Sequence, residues 1–500
     1  MSRHLLTAVL SLLVTVSAAG SWQWEEVGKS AGPGPRTYAV VIWTGSELLV
    51  WGGLPFGINT DWRNDGWRYV PGTNSWHPMS STNAPGVRQF PVGVWTGHEL
   101  VIWGGHKVTN PPDSIQTGAC YDPATDTWHP TSLVGAPPKR GDHTMIWTGS
   151  EVIVWGGYNF SSGDYLRSGG RYNPASDSWT AVSVLNAPGK RSKHTAIWNG
   201  SEMIIWGGGF LTGSLDWEHR SDFGRYDPAD DQWNPGPTAG APASRSDHSA
   251  LWTGTGMIVW GGWNGNTFEE HLLQTGALLD RATGTWTNLP LPGAPVGRAG
   301  HCAAWTGREM IVWGGSVDGT KQSGARFEPS SGTWSAMTTD SAPTGGNRGA
   351  AAWTGEAFYL LYDRLARACE TGPYRLDGIP DDWQYQYFGA QNSAGAADQD
   401  PDADGQNNAM EFLARTSPVD PQSRLGFAIA WLPATRELEF SLVPGWPDRK
   451  YRLEQSTLSS PIVWQTVGEN WTDQGSQPWT MRLPLPEDHK RFYRVAVGLK

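Results

Sequence analysis

Cysteine is scarce in this chain. Three in 500 residues cannot make a disulfide framework. Positive charge is also in short supply: 37 Lys and Arg stand against 48 Asp and Glu, a net charge of −11, with no basic cluster. That balance argues against nucleic acid as a partner. Long apolar runs are missing too. The run from Leu5 to Val16 is twelve residues long, short of the roughly 20 that a membrane-spanning helix needs. It fits an export leader, because Arg3 and His4 precede it and Ser17-Ala18-Ala19 follow it. We therefore expect 1–19 to be a signal peptide and the mature chain to be secreted or periplasmic, without a membrane span, and monomeric.

Tryptophan, by contrast, is abundant, with 31 copies, and it is periodic. The pairs Trp43/Trp51, Trp95/Trp103, Trp147/Trp155, Trp198/Trp206, Trp252/Trp260 and Trp305/Trp313 are each eight residues apart and recur every 51 to 54 residues. Each second Trp is followed by Gly-Gly. A period near fifty with an apolar run before two glycines indicates a circular array of small sheets. Residues carried by every repeat are then scaffold, and residues carried by one repeat alone are candidates for function.

The third repeat reads as four strands. Asp142 to Trp147 stops at the turn Thr148-Gly149, and Glu151 to Trp155 ends on Gly156-Gly157. Gly170-Arg171-Tyr172 leads into the turn Asn173 to Asp177, and Trp179 opens the last strand. The glycines are expected to permit a backbone geometry or close approach that a Cβ forbids.

An aromatic residue and a Trp, seven positions apart, recur as Tyr69/Trp76, Tyr121/Trp128, Tyr172/Trp179, Tyr226/Trp233 and Phe327/Trp334, with Leu279 before Trp286. Gly-Gly followed by this Tyr–Trp spacing is the kelch signature, so 22–376 resembles a kelch β-propeller.

From outer Trp to the next Arg is twelve residues in five units, Trp76/Arg88 to Trp286/Arg298, and again in Trp24/Arg36. A seventh unit begins at Arg348, its second strand Phe358 to Leu361 and its third near Thr371 to Leu376. No Trp follows at the right distance. The strand around Trp24 is expected to fill that place and close a seven-bladed ring, which removes the exposed sheet edges.

Cys120 is placed on a third strand where other blades carry Trp67, Arg171, Arg225 or Arg326. Cys302 and Cys369 fall in adjacent blades, close enough to pair, although buried free thiols are the expected state. After the propeller, 377–424 reads as a helical module, with a short helix from Trp383 to Phe388 capped by Asp381 or Asp382. It contains Asp400, Asp402, Asp404, Gly405, Gln406, Asn408 and Glu411 at the positions of an EF-hand calcium loop. Side-chain oxygens at alternate positions, the backbone at Gln406 and a bidentate Glu411 suit hard Ca²⁺, here in a structural role. The segment resembles the dockerin-like and thrombospondin-type-3-like calcium loops of secreted bacterial proteins, although a dockerin carries two such loops. From 425 to 500, short alternating runs predict a small antiparallel β-sandwich.

In a four-stranded blade the 2–3 and 4–1 loops share one face. The 1–2 and 3–4 turns are nearly constant along the chain, whereas the 2–3 loops vary, so binding is expected on the 2–3 face. The ligand candidates are Trp62, Tyr158, Trp217, His219, Trp263, Glu270 and His271. Aromatics beside carboxylates suit a glycan or a protein surface.

The alternative is a carbohydrate-active enzyme, epimerase- or oxidase-like, with His219, His271, Glu218, Glu269 and Glu270 as acid–base groups. The resemblance to galactose oxidase raises copper, but the non-repeat tyrosines Tyr38, Tyr158, Tyr165, Tyr359 and Tyr362 form no adjacent Tyr-His pair, so no copper is expected. His143, His194, His248 and His301 each follow an Arg by three residues, with Tyr38, Phe90 and Ala351 taken as their counterparts. Hydrogen bonding to a neighbouring blade is expected of them rather than a metal ring.

Overall fold

The computed structural model describes residues 21–371 apart from 30–31, 56–60, 111, 267–270, 317–321, 345 and 347. Beyond these it describes the backbone of six strands between 426 and 499. The leader, the helical module with its calcium ligands, and Glu270 lie outside the described residues. Seven antiparallel sheets form the propeller, six of four strands and one, in blade 1, of five, where the two-residue strand Arg36–Thr37 is added. Blade 3 has Thr144–Trp147, Val152–Trp155, Gly169–Asn173 and Ser178–Val182. Its register runs Ile146–Ile153–Arg171–Thr180. No helix occurs among the described residues, and none long and apolar enough to cross a membrane.

Blade 7 closes the ring as expected. Ala350–Trp353, Phe358–Leu361 and Leu365–Thr371 are joined by Ser21–Glu26, with Trp24 opposite Ala368. The third strand starts earlier than its expected position near Thr371. Tyr362 N–H donates to the Arg364 carbonyl at 3.2 Å, so a tight turn replaces the long 2–3 loop of the other blades.

Tryptophan joins neighbouring blades at two depths. The six Trp residues before Gly-Gly are fully buried. Each packs on the outer Trp of the next blade: Trp51 on Trp128, Trp103 on Trp179, Trp155 on Trp233, Trp206 on Trp286 and Trp260 on Trp334. The sixth pair, Trp313 on Trp24 at 4.6 Å, is the closure. Such ring pairs contribute about 1 kcal/mol each beyond the area they bury. The outer indole N–H groups then donate to a backbone carbonyl of the preceding blade, from Trp76 to Gly28 at 3.0 Å through to Trp24 to Thr338 at 3.1 Å.

The Gly-Gly pair has both of the expected causes. The first carbonyl accepts from a buried arginine of the same blade, as in Arg140 Nη1 to Gly156 at 3.0 Å and Arg191 Nη1 to Gly207 at 2.9 Å. The second, Gly157, has φ +99°, and a Cβ there would lie 2.5 Å from the Gly141 carbonyl oxygen. No other residue type fits that approach.

The three cysteines are free. Cys302 packs with Trp313 and Phe358, whereas Cys369 packs on a separate cluster with Tyr69 and Tyr359, so they do not pair. Cys120 corresponds to Arg68 rather than to Trp67, because Val101 faces Cys120 as Leu49 faces Arg68. In the C-terminal region, Gly426–Leu432, Glu437–Val443 and Trp479–Pro484 form one antiparallel sheet. Gln465–Gly468, Arg449–Ser456 and Phe492–Leu499 form another.

Candidate functional site

Each blade enters its first strand through a residue with left-handed backbone. These are Tyr38, Phe90, Asp142, Lys193, Asp247, Gly300 and Arg348, with φ from 50° to 60°. Six of the seven are not glycine, in a region that L-residues rarely occupy. Neighbouring blades hold them there. Tyr38 N–H donates to Arg348, Arg348 to Gly300, Gly300 to Asp247 and Asp247 to Lys193, at 2.7 to 3.1 Å. A backbone chain thus runs part of the way round the channel, and the side chains of this ring converge on its mouth.

A cavity of about 280 Å³ lies there, lined by Tyr38, Phe90, Asp142, Lys193, Asp247 and Arg348 with the histidines behind them. Its walls carry both signs of charge. Arg348 Nη2 is 2.7 Å from Asp247 Oδ1, and Lys193 Nζ is 3.6 Å from Asp247 Oδ2. Asp142 Oδ2 lies 3.6 Å from His106 Nε2. Burial pushes Asp142 upward, but the nearby His106, with Arg348 and Lys193 beyond, outweighs it and holds the carboxyl at about 2. Burial likewise pulls Arg348 down, and Asp247 and Asp142 more than reverse it, so its pKa is raised. The Arg348 guanidinium also lies 5.6 Å over the Tyr38 ring and 5.9 Å over Phe90.

Outside this ring the 2–3 loops build an aromatic belt. Trp62 packs on Tyr38 and Phe90, Phe90 on His106, His106 on Phe160, and Phe160 on Tyr158. Tyr158 continues to Tyr165, Trp217 and Trp263. In blade 4 a small hairpin makes this possible: Trp217–His219 pairs with Gly209–Leu211. Strand alternation then puts Trp217 and His219 on one face and Glu218 on the other. Trp217 Nε1–H donates to Ser246 Oγ at 3.1 Å, and Lys193 Nζ sits 4.9 Å over the Trp217 ring.

Five of the seven sequence candidates are therefore brought together: Trp62, Tyr158, Trp217, His219 and Trp263. Trp62 and Trp263 are buried and act as walls, whereas Tyr158 and Trp217 are half-exposed. His271 is exposed, and its backbone carbonyl accepts from Asn264 N–H at 3.3 Å, beside Trp263. His219 is locked by Ser246 Oγ at 3.0 Å and the Gly265 carbonyl at 2.9 Å, and burial lowers its pKa. Glu218 pairs with Arg220 at 3.0 Å, so these two do not form an acid–base couple.

The ring itself escaped the sequence reading because of its register. Tyr38 and Phe90 belong to the ring, one residue before the histidine position, which Ala39, Pro91 and Gly349 fill in the other blades. Gly346, twelve residues after Trp334, takes the arginine position in blade 7. Gly315 N–H donates to Gly346 as Gly262 N–H does to Arg298.

The four histidines do bond neighbouring blades, with one exception. His194 Nε2 meets Thr144 Oγ1, His248 Nε2 meets Thr195 Oγ1 and His301 Nε2 meets Ser249 Oγ, each at 2.9 Å. His143 has no such partner on either nitrogen, because blade 2 offers Val92 at the matching place. Burial, reinforced by the neighbouring arginines, drives all four pKa values down, to about 3 for His143 and His301.

The KLHDC2/KLHL20/DRC7 Kelch-repeats domain profile matches residues 92–268 and 213–364, more than half of the chain. Host cell factor of Drosophila melanogaster is 27% identical over 339 residues, covering 59% of this chain and 22% of that protein. Kelch domain-containing protein 3 of Homo sapiens is 22% identical over 265 residues, 50% of this chain and 66% of its own. Kelch domain-containing protein 10 of Xenopus tropicalis is 27% identical over 268 residues, 50% and 62%. The chain thus spans less than two thirds of each of these relatives.

Proposed function

Because this chain belongs to the kelch-repeat family, we propose that it is a binding propeller that captures a protein partner at the channel mouth on the 2–3 loop face. The observation that carries this reading is the aromatic belt, running from Trp62 to Trp263 over a mouth lined with both signs of charge. An exposed protein segment can lay an apolar side chain on Tyr158 and Trp217 and present a polar group to Asp247 and Arg348. A few such anchors supply most of the affinity in protein interfaces. A glycan stacking on the same aromatics is the second occupant this surface suits. We also propose that the chain is exported, on the leader-like 1–19, and that Ca²⁺ at Asp400 to Glu411 stiffens the segment after the propeller.

The test is to pan a displayed peptide library and a glycan array on the full chain. Peptide binders are expected, with binding lost in Trp217→Ala and weakened at least tenfold in Arg348→Gln, about 1.4 kcal/mol or more. Glycan hits alone, lost in Trp217→Ala, move the assignment to a lectin. Binders indifferent to both substitutions overturn the mouth as the recognition surface.

A further inference from the structure

Four blades carry an ion pair on the side that faces the next blade. A Glu at the start of the second strand meets an Arg on the third: Glu47–Arg68 at 2.9 Å, Glu151–Arg171 at 3.8 Å, Glu202–Arg225 at 3.5 Å and Glu309–Arg326 at 2.9 Å. Blade 5 has Gly256 and Leu278 at these places. Blade 7 has Ala357, and its Arg367 turns to Glu25 on the fourth strand at 2.7 Å.

Blade 2 alone keeps the carboxylate without the arginine. Glu99 remains, Cys120 stands where the Arg would be, and His129 lies directly opposite Cys120 on the fourth strand. One ligand atom from each lies within 4.8 Å of the other two. Glu99 Oε1 and His129 Nε2 are 2.7 Å apart. The thiol is fully buried, 3.8 Å from the Tyr172 hydroxyl, whereas the Glu99 and His129 side chains are 21% and 46% exposed.

We infer that Glu99, Cys120 and His129 form a zinc site at the outer edge of blade 2. Sulfur and imidazole nitrogen beside one carboxylate oxygen select a borderline-soft divalent ion, whereas calcium and magnesium take oxygen ligands. Zinc bonds of about 2.0 Å to nitrogen and oxygen and about 2.3 Å to sulfur require ligand separations of about 3.3 Å between nitrogen and oxygen and about 3.5 Å to sulfur, so the ion opens the 2.7 Å Glu99–His129 contact slightly within a cluster whose ligand atoms all lie within 4.8 Å of one another. Binding displaces the thiol proton to solvent. Three protein ligands leave the fourth tetrahedral position to water, on the open side beside His129. The ion then ties strands 2, 3 and 4 together where other blades use the Glu–Arg pair.

Cobalt(II) is the probe. The full chain is stripped with chelator and titrated with Co²⁺, which gives a thiolate-to-metal charge-transfer band only with a cysteine ligand; Zn²⁺ is then added to displace it. The band is expected in the native chain, in Cys302→Ser and in Glu411→Ala. It is expected to be lost in His129→Ala and in Cys120→Arg. The second variant restores the Glu–Arg pair of the other blades and so keeps the fold, as circular dichroism will report. No band in the native chain, or a band that survives both substitutions, overturns the site.

Discussion

Arg348 reaches past an entire blade to bond Asp247. It stands on blade 7 and the carboxylate on blade 5, 2.7 Å away, and the reach is open because blade 6 puts Gly300 between them. Lys193 approaches the same carboxylate from blade 4 at 3.6 Å, so one acid holds two cations at the mouth.

Replacing that acid separates the cations from their common partner. Asp247→Asn is expected to destabilise the chain by about 2 kcal/mol, since the pair is largely withdrawn from water. Urea unfolding measures it. A midpoint equal to that of the native chain would show that the two cations find adequate solvent without Asp247.

Val92→Thr is expected to stabilise. The hydroxyl falls where Thr144, Thr195 and Ser249 meet the histidine of the following blade, and it supplies the partner that His143 lacks. About 1 kcal/mol is the expected gain, and it should vanish when His143 is also changed to Phe.

Acid should weaken the propeller from about pH 6.5 downward. The four buried histidines stay neutral in the folded state, with His143 and His301 at about 3, and their unfolded counterparts protonate near 6.5. Below that point the unfolded chain binds more protons, so stability rises with pH between about 3 and 6.5, by roughly 1.4 kcal/mol per unit for each histidine. Asp142, held at about 2, adds a loss below about pH 3.8, where its unfolded carboxyl protonates first. Denaturant midpoints measured across this range should fall steadily toward acid, and a flat profile above pH 4 contradicts the neutral assignment.

Deleting the chain through Glu26 uncovers the edge of Leu365–Thr371 and removes the Trp24–Trp313 contact. Open edges pair with other chains. The truncated protein should therefore self-associate in size-exclusion chromatography at concentrations where the full chain does not.

Calcium is expected to raise the thermal midpoint of the full chain. Glu411→Ala should abolish the rise, because the bidentate ligand is lost. Indifference of the native chain to calcium removes the loop assignment.

The repeat was legible because its residues answer to strong local constraints. The Trp before Gly-Gly is dictated by inter-blade stacking, Gly157 by a carbonyl 2.5 Å from any Cβ, and the vacancy at Trp24 by ring closure. The mouth was less so. Arg348 looks like the next member of the arginine series, yet backbone bonding gives that place to Gly346. Tyr38 and Phe90 were set one residue out of line for the same reason: their defining property is a φ angle, which no side chain announces. Trp217 and His219 were found because they vary between blades, but their meeting depends on a hairpin within a loop.

The left-handed ring separates shape from chemistry. Main-chain hydrogen bonds join five of its seven positions, Tyr38, Arg348, Gly300, Asp247 and Lys193, so that path does not rest on the side chains they present. The mouth behaves as a short inscription whose letters are independent of the page. Tyr, Phe, Asp, Lys, Asp, Gly and Arg are the text on this chain, and an exchange that leaves the Arg348–Asp247–Lys193 pairing intact rewrites what the channel admits while the main-chain path is kept.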